Sequence, residues 1–211
     1  MVRTIEEILT QLPGAQITGG RGKKSVTQLT IDSRTAGPGS LFICLKGEHT
    51  NGHAYADKAA AQGASAILAE EDVSVPESTG CAVIRVPSTQ QAMTQLAPWF
   101  YEYPASKMRM IGVTGTNGKT TSTHIIAHIL RKEGYKVGVI GTIHWLINDE
   151  EHPIHNTTPD VITLQKILFQ MAESGVTHVS MEVSSHALSL NRVAGVEFDT
   201  AGFTNLTEDH L

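Results

Sequence analysis

The sequence predicts an α/β protein of two domains in series: a small mixed α/β domain over residues 1–104, then a doubly wound, parallel-sheet domain over 105–211. Three observations lead there. From residue 110 onward, apolar runs alternate with amphipathic segments of helical period, strand then helix, the rhythm of βαβ units. The first hundred residues also mix strand-like and helix-like runs, but without strict alternation. Between the two lies YPASKMR (103–109), short, polar and proline-bearing, the kind of segment where domain boundaries fall.

The elements follow in order. MVRTIEEILTQLPG reads as a short amphipathic helix and lacks the uninterrupted apolar core of a signal peptide. VTQLTID (26–32) and LFICLK (41–46) read as strands joined by the turn-rich SRTAGPGS. GHAYADKAAAQG is an alanine-rich helix closed by Gly63, and ASAILAE and CAVIRVP are buried strands. Ser88 is the expected N-cap of the helix in STQQAMTQLAPWFYEYP, whose end carries an aromatic cluster of Trp99, Phe100, Tyr101 and Tyr103, expected to pack at the boundary. In the second half MIGVTG is a strand. TTSTHIIAHILRKEG is a helix expected to turn Ile125, Ile126, Ile129 and Leu130 inward. KVGVIGT is the next strand, and TPDVITLQKILFQMAESG a helix with Pro159 near its first position and Ile162, Ile167, Leu168 and Met171 inward. THVSMEV and FDTAGFTNL are further strands. Ligands of such sheets bind outside the carboxyl ends of the strands, so the stretches 115–121, 141–143, 182–186 and 205–210 are the places to look for chemistry.

Composition removes several classes. A net charge of −5 over 211 residues gives no general basic surface for nucleic acid. No apolar run approaches the roughly 20 residues needed to cross a bilayer. Cys44 and Cys81 sit in apolar strand-like runs and read as reduced core thiols, which points to the cytoplasm.

GVTGTNGKTTS (112–122) has strand upstream and helix downstream, the context of a phosphate-binding loop. It departs from the usual G-x-x-x-x-G-K-[ST] spelling: Val113 stands where the first glycine belongs. Inward backbone amides, the positive helix end, a lysine charge and a hydroxyl for Mg²⁺ are still provided for. Gly115 is expected to supply the tight bend. A G-x-x-G-K-[ST] match arises by composition about once in a hundred chains of this length, so the strand–loop–helix setting decides for a nucleotide site. Glu182, at the end of the strand in THVSMEVSSH, is the expected metal carboxylate. Ser185-His186 is set aside as a hydrolytic pair because neighbours on an extended strand point to opposite faces and no G-x-S-x-G elbow exists. His124 and His128, four apart on a helix, have no third zinc ligand in view and are set aside too.

Together GVTGTNGKTT, NTTPD, MEVSSHALSLNRV and FTNLTEDHL closely resemble the Mur ligase family, nearest its MurE type, which extends UDP-N-acetylmuramoyl-L-alanyl-D-glutamate. IDSRTAGPGSLFICLKGEHTNGHAY is similar to that family's UDP-binding segment, so the resemblance spans essentially the whole chain. It implies a small UDP-binding domain followed by a P-loop ATPase domain. It also implies a reaction in which ATP phosphorylates a carboxylate and the amine of a diamino acid, diaminopimelate or lysine, displaces phosphate from the acyl phosphate.

Matched motif by motif, the resemblance assigns ATP to Gly115, Thr116, Asn117, Gly118, Lys119, Thr120 and Thr121, with Lys119 on the terminal phosphates. It assigns one Mg²⁺ to Thr120 and Glu182 and a second to His210, so that Lys119, Glu182 and His210 are the catalytic set. The nucleotide-sugar peptide falls to Asn156, Thr157, Thr158, Ser184 and Arg192, and the uridine nucleotide to Ser33 and the stretch Glu48, His49, Thr50. A monomer without nucleic-acid or membrane partners is implied. Folylpolyglutamate and cyanophycin synthetases share the loop, but IDSR and GSLFICLKG favour a UDP-muramyl substrate. A non-catalytic nucleotide-binding paralogue is the other alternative. Leu190 stands where some relatives carry a polar substrate contact. The family continues past the His210 motif through a carbamylated lysine and a third domain. This chain is therefore expected to be part of a longer ligase, inactive alone, its parallel sheet incomplete and its last strand presenting an unpaired edge or an uncovered face.

Overall fold

A computed structural model describes residues 1–20, 25–47, 50–142, 144–147, 150–153 and 157–207. The chain forms two compact units, residues Met1–Phe100 and Tyr101–Leu211.

The first unit runs β1 (Arg3–Thr4), α1 (Ile5–Gln11), β2 (Gln16–Gly19), β3 (Ser25–Val26), β4 (Gln28–Thr30), β5 (Ser40–Ile43), α2 (Ala56–Ala61), β6 (Ala66–Ala69), β7 (Ala82–Arg85) and α3 (Thr89–Phe100). Helix α1 starts in a capping box: Thr4 accepts from the Glu7 amide (3.2 Å) and Glu7 accepts from the Thr4 amide (2.7 Å). The sheet order is β2-β7-β6-β5-β4, parallel throughout except for β2, which pairs antiparallel to β7. Strand β2 has no counterpart in the expected elements. The central strands are buried from end to end, as the two-sided cover of a parallel sheet requires. Ser88 caps α3 as expected, its Oγ accepting the Gln91 amide (3.3 Å). Cys44 and Cys81 are buried thiols, and burial pushes the Cys44 pKa up to about 12.

The second unit runs β8 (Arg109–Thr114), α4 (Lys119–Lys132), β9 (Val137–Ile140), β10 (His144–Ile147), β11 (Glu150–Pro153), α5 (Val161–Glu173), β12 (His178–Glu182), α6 (Ser185–Ser189) and β13 (Thr200–Phe203). Its sheet order is β11-β10-β9-β12-β8-β13. The four strands from β9 to β13 are mutually parallel, as the apolar runs predict. The alternation of β9 makes the sheet doubly wound: Val137 and Val139 pack with Ala127 of α4, while Ile140 packs with Leu164, Ile167, Leu168 and Met171 of α5. Burying a side chain such as Leu168 is worth about 1.5–3 kcal/mol.

Four expectations need correction. HWLINDEEHPI, left unassigned by periodicity, supplies β10 and β11, a hairpin that adds two antiparallel strands at the β9 edge, with Trp145 stacked on His152 at 4.0 Å. The inward face of α4 is Thr123 and Ala127, with Ile126 and Leu130 half-buried. Ile125 and Ile129 are more than half exposed. Helix α5 begins after Asp160, whose carboxylate accepts the Ile162 (3.0 Å) and Thr163 (3.1 Å) amides, so Pro159 precedes the cap. Ser185-His186 opens helix α6 rather than continuing a strand, with Ser184 as its N-cap. Strand β13 pairs with β8 and lies at the end of the sheet, and all four of its residues are exposed.

Candidate nucleotide and substrate site

Strand register brings the site together. Val113 of β8 pairs with Glu182 of β12, and Val113 accepts the Val183 amide (2.9 Å), so the carboxylate ends its strand beside the strand from which the loop springs. The loop then turns through Gly115 at φ +129° into Gly118 at φ +85°, and α4 starts at Lys119. The first amides of a helix have no intrahelical partner, and here they belong to Gly118 through Thr121. They face outward from a positive helix end, the arrangement that receives phosphate.

Lys119 Nζ folds back over the loop, donating to Gly115 O (2.7 Å) and Thr116 O (2.9 Å). Gly115 answers the puzzle of the misplaced glycine. A Cβ there would lie 2.2 Å from Thr204 Oγ1 and 2.9 Å from Asn205 O, so the constraint comes from the chain after β13 as well as from φ. That segment holds the loop through a dense set of bonds. Asn205 O accepts the Thr116 amide (3.0 Å), Asn205 Oδ1 accepts the Asn117 amide (3.0 Å), and Asn205 Nδ2 donates to Asn117 O (3.2 Å). Thr204 Oγ1 donates toward Asn117 O (2.7 Å), and Thr116 Oγ1 accepts the Thr207 amide (3.0 Å). The amides of Thr116 and Asn117, expected to face a nucleotide, are thus engaged by Asn205.

Glu182 is buried at 1% exposure, and its carboxylate is fully ordered by donors. Oε1 accepts the Thr142 amide (2.9 Å); Oε2 lies 3.0 Å from Thr120 Oγ1 and 3.1 Å from Thr142 Oγ1. A Cβ on Gly141 would sit 2.5 Å from Oε1, so glycine there is what admits the carboxylate. The donor set suits Mg²⁺: octahedral Mg²⁺ takes oxygens at about 2.0–2.1 Å, which puts neighbouring ligand oxygens about 3 Å apart. Thr120 Oγ1 and Glu182 Oε2 already stand at that spacing.

Thr142 Oγ1 also reaches Thr157 Oγ1 at 3.2 Å, linking the carboxylate to the expected substrate segment. Thr158 has another job. It is buried, its hydroxyl donates to Glu182 O (3.0 Å) and accepts the Ser184 amide (3.2 Å), and its carbonyl accepts from Arg192 (3.0 Å). Thr158 therefore ties Glu182, Ser184 and Arg192 into one frame, and Thr157 is the member of the pair with an outward hydroxyl. Asn156 and His210 lie outside the described residues.

In the first unit the expected uridine segments follow the adjacent parallel strands β4 and β5, at their carboxyl ends. Ser33 lies in a turn closed by the Thr35 amide to Asp32 O (3.0 Å), and Asp32 pairs with Arg34 through both carboxylate oxygens. Thr50 O accepts the Gly47 amide (2.9 Å), while Glu48 and His49 lie outside the described residues. A neighbouring network was not anticipated. Buried His53 accepts the Glu70 amide at Nε2 (3.0 Å), which leaves Nδ1 to donate to Asn51 Oδ1 (2.7 Å). Burial holds the His53 pKa below its ordinary value, against the opposing pull of Glu71 and Glu70. Burial works against ionising Glu70, but Lys46 at 2.9 Å and the amide and hydroxyl of Thr89 outweigh it and hold its pKa at about 2.

A parallel sheet, a loop of this shape feeding a helix, and an acid on the next strand are the architecture of a P-loop nucleotide-binding domain. Known proteins narrow the class. Residues 113–211 match the Mur ligase middle domain and residues 25–101 the catalytic domain of the Mur ligase family, and the chain belongs to that family. It is 47% identical over 207 residues to a UDP-N-acetylmuramoyl-L-alanyl-D-glutamate–2,6-diaminopimelate ligase of Geobacillus thermodenitrificans, covering 98% of this chain and 41% of the relative. It is 52% identical over 188 residues to the protein of the same name from Lactiplantibacillus plantarum, covering 88% and 37%. A solved structure bearing that name superposes with a TM-score of 0.80 at 30% identity, over 100% of this chain and 42% of the other. MurF from Acinetobacter baumannii shares the fold at TM-score 0.70 and 19% identity, over 100% of this chain and 42% of that one. The chain spans about two-fifths of the length of these curated relatives.

Proposed function

We propose that this chain carries the UDP-substrate and ATP sites of an ATP-dependent amide ligase of peptidoglycan-precursor synthesis. Residues 1–104 take the uridine nucleotide of UDP-N-acetylmuramoyl-L-alanyl-D-glutamate, and residues 105–211 take MgATP and contribute residues for the muramyl-peptide. The names of the relatives favour 2,6-diaminopimelate over lysine as the amino acid joined. The reaction and the cytoplasm share the pool of ATP, and the two buried thiols suit that compartment.

The observation that carries this reading is the 3.0 Å contact between Thr120, in the first turn of α4, and the buried Glu182 at the end of β12, the strand beside the one that leads into the loop. MgATP, when bound, supplies the phosphoryl group that converts a carboxylate into an acyl phosphate, from which an amine displaces phosphate. The protein contributes position and charge. Lys119, which donates to the Gly115 and Thr116 carbonyls, would meet the phosphate oxygens, the helix-start amides of 118–121 would cradle them, and Thr120 and Glu182 would hold the metal. Thr142 keeps Glu182 aimed. Thr157, Ser184 and Arg192, framed by Thr158, would meet the muramyl-peptide; from their motifs, Asn156 is proposed beside them and His210 for a second Mg²⁺. Ser33 and residues 48–50 take the uridine nucleotide.

Isothermal titration of the 211-residue protein with ADP, with and without Mg²⁺, and with UDP-N-acetylmuramoyl-L-alanyl-D-glutamate tests the assignment. Wild type is expected to bind both ligands. Lys119→Met is expected to lose ADP and retain the UDP-substrate, and Glu182→Gln to lose the Mg²⁺ dependence. ADP binding unaltered in Lys119→Met overturns the phosphate-loop reading.

A further inference from the structure

We infer that Asn205, flanked by Thr204 and Thr207, is a positioning residue that sets the shape of the phosphate loop and divides its amides into two classes. This rests on the nucleotide reading above and adds a role for a residue that touches no ligand in it. Asn205 reaches the loop across 88 residues of sequence. It meets Asn117 as one amide meets another across a β-ladder: Oδ1 accepts the Asn117 amide while Nδ2 donates to the Asn117 carbonyl (3.0 and 3.2 Å), and its own carbonyl takes the Thr116 amide. Thr204 adds a second donor to Asn117 O, and the Thr207 amide donates to Thr116 Oγ1. An unpaired backbone amide turned toward an anion is a ligand donor, whereas one already paired is scaffold. By that criterion Thr116 and Asn117 are scaffold, and the donors left for phosphate are those of Gly118 through Thr121.

Two consequences follow from the bonding. Gly115 must lack a Cβ because Thr204 and Asn205 occupy that space, so the glycine that appears shifted in the motif is placed by the strut. Lys119 Nζ rests on the carbonyls of Gly115 and Thr116, so the strut also fixes where the lysine charge is held before it meets phosphate. Asn205 acts through the loop and is not a catalytic residue.

The inference is tested on the whole chain by amide hydrogen exchange read by NMR, together with titration by MgADP. In the nucleotide-free protein the Thr116 and Asn117 amides are expected to be protected and those of Lys119 and Thr120 to exchange freely. Asn205→Ala is expected to expose the Asn117 amide while leaving Thr116, whose acceptor is the backbone carbonyl of residue 205, protected. A generally loosened fold would expose both. MgADP binding is expected to weaken about tenfold in Asn205→Ala, equivalent to about 1.4 kcal/mol. Asn205→Asp, which keeps the acceptor but sets a charge against the Asn117 carbonyl, is expected to weaken it at least as much. Thr204→Val, close to isosteric, removes the hydroxyl bonds and guards against a variant that fails to fold; it is expected to weaken MgADP severalfold with the thermal midpoint kept. Equal MgADP affinity in wild type and all three variants overturns the strut alone, as does exchange of both amides in wild type. Absence of MgADP binding in wild type overturns the nucleotide reading, and the exchange pattern then still decides whether the strut exists.

Discussion

Gly141→Ala is the sharpest probe of the carboxylate pocket. The added methyl would lie 2.5 Å from Glu182 Oε1, and ordinary contact begins near 3.4 Å, so the carboxylate or the β9 end must give by 3.4 − 2.5 = 0.9 Å. Glu182 has little room to give: it is buried, and Oε1 holds the Thr142 amide at 2.9 Å. A shift of that size breaks the bond. Hydrogen bonds to charged groups are worth about 1.5–3 kcal/mol, and overpacking costs about 1–3 kcal/mol. The two overlap, because the movement that relieves the clash is the one that breaks the bond, so the expected loss is about 2–4 kcal/mol. For chains of 150–250 residues each kcal/mol shifts the midpoint by about 2–4 °C, which gives a drop of about 4–16 °C. The same displacement carries Oε2 away from Thr120 and opens the 3.0 Å spacing suited to Mg²⁺, so the Mg²⁺-dependent part of ADP affinity falls about tenfold or more. Differential scanning calorimetry and titration with and without Mg²⁺ measure both. Gly37→Ala is the control, since nothing lies within 4 Å of its added methyl. A Gly141→Ala protein with the wild-type midpoint and wild-type Mg²⁺ dependence refutes the claim that Glu182 is wedged in a glycine-sized space.

Other expectations are briefer. Thr142→Val keeps the backbone amide on Oε1 and removes the hydroxyl from Oε2 and Thr157, so Mg²⁺-dependent ADP binding should weaken severalfold and, at about 1.5–3 kcal/mol for a hydrogen bond to a charged group, the midpoint should fall by about 3–12 °C, readable by the same titrations and calorimetry. His53 titrates below its ordinary value in the folded protein, so its contribution is present above about pH 6.5 and is lost as pH falls through the lower folded value. Urea unfolding of the first unit should therefore show stability declining as pH falls below about 6.5. His53→Phe should flatten that decline at some cost in stability at neutral pH. Glu70, held at about 2, contributes stability that is present above its unfolded value of 4.5 and is lost as pH falls from there through about 2, so its loss follows that of His53 along the pH axis.

The loop and its acid were legible because both are local: a spacing of glycines, a lysine, and a glutamate at the end of an apolar run. Pairing of Val113 with Glu182 then follows from two strands being neighbours in a parallel sheet. What escaped was set by tertiary contact. Thr142 and Asn205 fell within stretches flagged only as strand ends, and nothing in a threonine or an asparagine announces a partner 40 or 88 residues away. The inward face of α4 was misread because four apolar residues were assigned together, whereas the sheet below accommodates Thr123 and Ala127 and leaves Ile125 and Ile129 outside. The hairpin β10–β11 was missed because charged and histidine residues dilute its alternation: β10 buries only Trp145 and Leu146, and β11 has no buried residue and is held by cross-strand pairing to β10 at the edge.

The bonding of residues 204–207 to the loop has a kinetic side. The loop is encoded near residue 115, but its shape depends on a segment made about ninety residues later, after β9, the hairpin, α5 and β12 have all been added. Contacts of such long sequence separation form late, once the intervening chain has been closed. As the polypeptide emerges, residues 109–132 are made before the segment that shapes the loop, so the pocket's final contour waits on residues 204–207.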